Sequence, residues 1–136
     1  MERFAVCEWV VDGCRLVANI NVALREYSGK AETPWFLSLS TSVLSTPEGL
    51  IARGGSGELN QWEDLIEGEI GAACRFIFVG RVTWKGNREL LYYIDTPELI
   101  AAVLQGLITK RAVRQFAFRC EYDPKWEKVG IYFKSK

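Results

Sequence analysis

Acidic side chains along one predicted helix are the first feature of this sequence that could do chemistry. Residues 58–69 contain no basic residue, and the helix that they predict gathers several carboxylates on one face. Paired carboxylates can serve as general acid and base in hydrolysis, but carboxylates on an outward helix face do not converge on a cleft. They can instead attract a partner of opposite charge. We therefore predict a binding site for a protein with a basic surface at Asn60, Glu63, Asp64 and Glu67.

A second arrangement that could do chemistry involves Glu69 and Arg81. Glu69 falls near the middle of the apolar stripe of the same helix, where an unpaired carboxylate is costly. Strand alternation places Arg81 on the face opposite Phe78. Arg81 could bind an anion or fix packing by pairing with a carboxylate such as Glu69 or Glu89. We predict that Glu69 pairs with Arg81, or with Arg75 as the second choice.

Several kinds of active site are excluded by residue type. Histidine is absent, which removes the Ser-His and Cys-His pairs of nucleophilic catalysis and the usual zinc ligand. The cysteines contain no C-x-x-C pair and lie at Cys7, Cys14, Cys74 and Cys120. We expect them to be reduced thiols of a cytoplasmic protein. We predict no catalytic residue, no metal site and no cofactor, and therefore a protein that is not an enzyme.

The size and composition indicate one globular domain over residues 1–136. The chain has a mass of 15.4 kDa, and 49% of its residues are hydrophobic and 25% are charged. No apolar stretch is long enough to span a membrane, and no signal peptide is evident. Residues 1–72 carry 5 basic and 11 acidic side chains, whereas residues 73–136 carry 12 and 6. These signs could either form separate patches or mix in the fold.

The order of predicted elements is that of an α+β domain. Strands are predicted at 4–11, 16–24, 35–43, 75–84, 88–94, 113–122 and 126–133, and helices at 58–73 and 97–111. Gly80 interrupts one strand and indicates a bulge or a close backbone approach. Trp62 lies on the apolar stripe of the first helix and is predicted to anchor the core. We expect a largely antiparallel sheet of about six to seven strands with two helices packed on one face.

Basic and aromatic residues alternate near the end of the sequence, as they do in stacking platforms for single-stranded nucleic acid. Phe116, Phe118 and Tyr122, however, share a strand face that the helices are expected to cover. The sequence pI of about 6.3 also gives no overall basic footprint. We therefore do not expect nucleic acid as a partner.

Several short motifs resemble a bacterial family known only as domain of unknown function 695. They are Gly49-Leu50, Leu65-Ile66-Glu67, Val79-Gly80-Arg81-Val82-Thr83, Gly86, Arg88-Glu89-Leu90, Tyr92-Tyr93 and Asp123-Pro124-Lys125-Trp126. The resemblance extends from about residue 49 to the end of the sequence. It implies a small α+β domain without an accepted activity, and it carries over no catalytic residue. Some relatives are joined to a domain similar to the protein inhibitors of ribonuclease E.

Three functional hypotheses follow from these observations. The first is a protein-binding module, most concretely an immunity protein that neutralises a bacterial toxin by stoichiometric binding. The second, which the resemblance implies, is a housekeeping regulator of RNA turnover that also acts by binding a protein. The third is a small hydrolase that uses carboxylates. The sequence predicts a monomer or a homodimer that is not attached to a membrane.

Overall fold

A computed structural model describes residues 2–43, 56–111 and 114–134 of the chain. The strands are β1 (Phe4–Val11), β2 (Cys14–Asn21), β3 (Trp35–Ser42), β4 (Phe76–Trp84), β5 (Asn87–Ile94) and β6 (Ala117–Tyr122). The helices are α1 (Ser56–Ala73), α2 (Pro97–Lys110) and α3 (Gly130–Lys134). Three 3₁₀ turns span Val22–Glu26, Lys30–Glu32 and Glu127–Val129. Of the motifs above, Gly49 and Leu50 lie outside the described residues.

All six strands form one antiparallel sheet in the order β1-β2-β4-β5-β3-β6, which confirms the predicted α+β class. Two tight hairpins join neighbouring strands at Asp12-Gly13 and at Lys85-Gly86. All four of these turn residues have positive φ, between 49° and 75°, which is the geometry that matches the twist of a two-residue hairpin. No helix in the described ranges is both long and apolar enough to cross a membrane.

Each face of the sheet supports a core. On one face α1 and α2 cover the strands, and α1 contributes Leu59, Trp62, Ile66 and Ile70, all at most 2% exposed. This confirms the predicted position of Trp62 in the core. On the other face the C-terminal segment covers the sheet, with the Trp126 ring stacked on Tyr93 at 4.2 Å between centroids.

The C-terminal segment differs from the strand predicted at 126–133. It forms the 3₁₀ turn Glu127–Val129 followed by α3, so the described part of the chain has a sheet of six strands with helices on both of its faces. The physical reason is Asp123, which is 6% exposed. Its carboxylate accepts hydrogen bonds from the backbone N–H of Glu127 at 2.9 Å and of Lys128 at 3.0 Å. These bonds satisfy the first N–H groups of the helical turn, so the segment does not need the hydrogen bonds to a neighbouring strand that an extended chain would need.

Tyr93 donates a further hydrogen bond of 2.6 Å to the same carboxylate. Burial alone would raise the pKa of Asp123, but the hydrogen bonds from Tyr93, Lys128 and Glu127 outweigh it and hold this pKa below its usual value. Asp123 therefore joins the sheet to the C-terminal segment most strongly when it is ionised.

We expect Asp123→Asn to lower the free energy of unfolding at neutral pH by about 1–3 kcal/mol. Because the pKa of Asp123 is lowered in the folded state, its contribution is present above the unfolded pKa and is lost as the pH falls through the folded value. The difference between wild type and variant should therefore shrink below about pH 4. Urea denaturation at about pH 7 and about pH 3 measures both values, and a difference that stayed constant would contradict this account.

The bulge predicted at Gly80 is present. The pairing of β4 with β5 shifts register between Phe78 and Gly80, and a Cβ atom at Gly80 would collide with the carbonyl oxygen of Asn19 in β2. The extra residue breaks strict alternation, so Phe78 and Arg81 both face α1. The guanidinium of Arg81 lies 5.0 Å from the centroid of the Phe78 ring. The prediction that these two side chains lie on opposite faces is therefore wrong.

Candidate functional site

The most connected polar group between α1 and the sheet is the Glu63 carboxylate. Its Oε1 accepts hydrogen bonds from Arg81 Nη2 at 2.9 Å and Nε at 3.1 Å. Its Oε2 accepts from Arg88 Nη1 at 2.9 Å, and Arg88 Nε donates to Thr83 Oγ1 at 2.9 Å. The Glu63 side chain is only 13% exposed. Glu63 therefore ties α1 to β4 and β5 and is not part of a free acidic surface, contrary to the prediction.

The two arginines of this network come from the same hairpin. Arg88 is paired with Thr83 across β4 and β5, and the bulge at Gly80 turns Arg81 toward α1. Burial lowers the pKa of Arg88 and the charge of Arg81 adds to this effect, whereas the charge of Glu63 opposes it. Because both oxygens of Glu63 face guanidinium groups, this carboxylate holds the fold and is poorly placed to act as an acid or a base.

The ion pair predicted for Glu69 is not formed among the described residues. Arg81 pairs with Glu63, and Arg75, the second choice, pairs with Glu32. Within the described residues Glu69 is half-buried and forms no ion pair. It lies six residues beyond Glu63, which is about 9 Å further along a helix. Arg81 meets α1 nearer its N-terminus, at Glu63, so the prediction identified the arginine and the helix but not the carboxylate.

The other three predicted site residues are exposed on α1. Asn60, Asp64 and Glu67 follow the helical spacing i, i+4, i+7 and form one stripe. In the part of the chain that the structure describes, neither carboxylate of the stripe pairs with a basic side chain. Burial raises the pKa of the nearby Tyr92 hydroxyl, and the negative charges of Glu67 and Glu63 raise it further. We call Asn60, Asp64 and Glu67 the α1 stripe.

A pocket of about 520 Å³ adjoins this stripe and was not predicted. Its lining includes three phenylalanines, Phe4, Phe76 and Phe78, which we call the ring wall, and three glutamates, Glu2, Glu26 and Glu67, which we call the carboxylate rim. We call it the aromatic pocket. Its members come from β1, β4, α1 and the turn after β2, and the pairing of β2 with β4 brings them together. No local sequence pattern indicates such a site, because each carboxylate lies in a different part of the sequence.

The pocket is held in shape by Asn21, which is 5% exposed. The Asn21 Oδ1 atom accepts hydrogen bonds from the backbone N–H of Arg3 at 2.8 Å and of Ala23 at 3.3 Å. The N–H of Val22 donates to the Arg3 carbonyl oxygen at 2.9 Å. These bonds fasten the segment that carries Glu2 and Phe4 to the turn that carries Glu26.

Of the aromatic side chains that could have formed a stacking platform for nucleic acid, Phe116 and Phe118 pack into the core, whereas Tyr122 is 62% exposed, so the expectation that the helices cover all three is wrong. Phe116 is 8% exposed and packs on Trp62, and Phe118 lies against the same core. A different, basic cavity of about 820 Å³ lies beside α3, where Arg25, Lys30, Lys125 and Lys134 surround Trp126. Lys30 already donates to the carbonyl oxygens of Arg25 and Tyr27 there.

Among the described residues, the thiols and carboxylates show no arrangement of a metal centre. In residues 2–43, 56–111 and 114–134, no group of three or more acidic or thiol side chains could hold a metal ion. The four cysteines form no disulfide. Burial raises the pKa of the Cys120 thiol to about 11, helped by the charges of Glu98 and Glu121. A thiol with such a pKa is protonated at neutral pH and is a poor nucleophile.

Comparison with known proteins supports the resemblance that the sequence motifs indicated. No curated protein and no solved structure matches the chain significantly. A family model described as a family of unknown function matches residues 6–134. Since this match covers nearly the whole sequence, the chain belongs to the DUF695 family.

Proposed function

We propose that this protein is a non-enzymatic binding module that holds a protein with a basic surface against the α1 stripe. The observation that carries the proposal is the contrast between neighbouring carboxylates of α1. Glu63 is enclosed by two guanidinium groups, whereas Asp64 and Glu67 are exposed, and no cation within the described residues pairs with them. The most concrete partner is a toxin, which would make the protein an immunity protein.

The stripe suits a docking role for electrostatic reasons. Its three residues follow one line along α1 and span about 10 Å. Unpaired carboxylates so close together repel one another, and a cationic partner relieves this repulsion. Such charges act mainly by steering the encounter, so they raise the association rate and make it sensitive to salt.

A hydrolase that uses carboxylates is a weaker proposal for the same surface. The one carboxylate of α1 that is buried among polar groups, Glu63, accepts hydrogen bonds with both oxygens from arginine. The exposed carboxylates of the stripe, Asp64 and Glu67, share a cleft of only about 60 Å³ with Arg81, which is too small to enclose a substrate and shield a reacting bond from water. A regulator of RNA turnover would bind its partner through the α1 stripe, as an immunity protein would. Identifying the partner therefore distinguishes these two hypotheses.

We expect the double variant Asp64→Lys/Glu67→Lys to bind its partner much more slowly. The partner to test first is the purified protein encoded beside this chain. Its association rate should fall by about ten-fold or more at low salt, and the remaining rate should depend less on salt. Stopped-flow or biolayer measurements at two salt concentrations give both quantities.

A matched control is the double variant Glu98→Lys/Glu127→Lys, because it changes net charge equally at exposed residues away from the stripe. We expect this control to associate nearly as fast as wild type. If both double variants slowed equally, net charge rather than the stripe would govern binding. If the α1 variant associated like wild type, the interface would lie elsewhere and the proposal would be wrong.

A further inference from the structure

We infer that the aromatic pocket receives an arginine side chain of the basic partner. This inference rests on the proposed function and specifies the contact at its centre. Each part of the pocket matches one part of such a side chain. The ring wall suits the flat apolar faces of the guanidinium group, and the carboxylate rim suits its charge and its N–H groups.

The ring wall is available to a guest. Phe4 is 39% exposed although it is a large apolar side chain, and its ring lies 6.2 Å from that of Phe78. Phe76 and Phe78 are only partly buried. Phe78 already carries one guanidinium, because Arg81 lies 5.0 Å from its centroid. Rings in this wall are thus compatible with a positive charge at close range.

The rim carries three carboxylates, and Arg81, whose guanidinium lies on Phe78, lines an adjoining small cleft together with Glu67 rather than the pocket itself. Glu2, Glu26 and Glu67 are all exposed, and no lysine or arginine is among the described residues that line the pocket. In the same described part of the chain, none of the three forms an ion pair. These carboxylates come from three separate parts of the chain, namely the segment before β1, the turn after β2 and α1, so their convergence is a property of the fold and not of one helix. A cation in the pocket would relieve their mutual repulsion.

The pocket needs little reorganisation to bind. The buried Asn21 fixes the chain segments that carry Glu2, Phe4 and Glu26 through the backbone hydrogen bonds described above. A preformed site avoids the entropy cost of ordering loops on binding. Its volume of about 520 Å³ lies within the range of ordinary ligand pockets and exceeds the space that a small inorganic cation needs.

Arginine is favoured over lysine because of geometry. A guanidinium group is planar, stacks on rings and can donate to two carboxylates at once, whereas an ammonium group is a compact and strongly hydrated point charge. Arginine is also enriched among the residues that dominate the energy of protein interfaces. A single arginine anchored here, beside the α1 stripe, would fix the orientation of a partner that the stripe attracts.

The test uses a tripeptide, acetyl-Gly-Arg-Gly-amide, and the same tripeptide with neutral citrulline in place of arginine. The full chain is titrated with each, and NMR follows the aromatic ring signals of Phe4, Phe76 and Phe78. We expect saturable shifts of these signals with the arginine peptide and none with the citrulline peptide. Glu26→Gln should weaken binding by roughly three-fold, as expected for an exposed ion pair, whereas Glu98→Gln should leave it unchanged.

Three results would overturn the inference. Equal shifts with the citrulline peptide would indicate an apolar groove that ignores charge, and absent shifts would mean that the pocket is closed to side chains. Tighter binding of spermine than of the arginine peptide would indicate a polyamine site. Wild-type amide spectra of Glu26→Gln would verify that this variant is folded, so that a change in affinity reports on the pocket.

Two variants separate this inference from the proposed function. Asp64 belongs to the α1 stripe but does not line the aromatic pocket, whereas Glu26 lines the pocket and lies outside α1. If Asp64→Lys slows association but Glu26→Gln does not change the dissociation rate of the partner, the stripe stands and the arginine pocket is wrong. If Glu26→Gln speeds dissociation and Asp64→Lys has no effect, the pocket stands without the stripe.

Discussion

Replacing Trp62 with alanine should lower the free energy of unfolding by about 3–5 kcal/mol. The side chain is 0% exposed and packs against the Phe116 ring at 5.6 Å between centroids. Its removal leaves a cavity between α1 and the sheet that the surrounding side chains cannot fill completely. Urea denaturation followed by circular dichroism measures the change. A loss below about 1 kcal/mol would contradict the core role of this residue.

The matched variant is Trp62→Phe. Within the described residues the indole N–H of Trp62 is buried and has no hydrogen-bond partner, and such a group costs about 1–3 kcal/mol. Phenylalanine keeps most of the ring packing and removes this polar group. We therefore expect Trp62→Phe to cost less than half of what Trp62→Ala costs. Equal losses in both variants would mean that the indole N–H is in fact satisfied.

The second large effect is expected for Glu63→Gln. A neutral amide leaves the guanidinium groups of Arg81 and Arg88 beside each other without a counter-charge, and the Arg88 side chain is only 12% exposed. Removing one partner of a buried ion pair typically costs 3–5 kcal/mol. We expect a loss of about 3 kcal/mol, at the low end of that range, because Arg81 is 32% exposed and water screens it.

Asp64→Asn is the control for this prediction, because it makes the same kind of change one residue along α1 at an exposed position. Its stability should stay within about 0.5 kcal/mol of wild type. The double variant Glu63→Gln/Arg88→Gln should be less destabilised than the sum of the single variants, since the two side chains interact directly. Additive losses would show that Glu63 and Arg88 act independently.

The elements that could be predicted are those set by local patterns. The two long helices, the bulge at Gly80 and the buried position of Trp62 each follow from spacing within one short segment. The structure of residues 126–133 could not be predicted correctly. Their apolar residues fit either a strand or a helix, and the hydrogen bonds from the backbone to Asp123 favour the helix. Local periodicity does not register a single side-chain cap.

The candidate site was less predictable for a related reason. Alternation placed Arg81 on the wrong face, because one extra residue at Gly80 reverses every position after it. Because of that reversal, Arg81 faces α1 and pairs with Glu63. Glu63 is therefore not part of the predicted acidic surface. The aromatic pocket depends on the pairing of β2 with β4, which joins segments about 60 residues apart. Neither the register shift at Gly80 nor the pairing of β2 with β4 can be recognised from the sequence pattern of a single element.

The strand order also has a consequence for biosynthesis. β3 lies inside the sheet, and both of its neighbours come later in the chain. It pairs with β5 on one side, through Trp35↔Ile94, and with β6 on the other, through Trp35↔Tyr122. While the chain leaves the ribosome, β3 emerges long before either neighbour and keeps both edges open. Unpaired edges of an apolar strand invite pairing with other chains. We therefore expect the nascent protein to be prone to wrong pairing in the interval between the synthesis of β3 and that of β6.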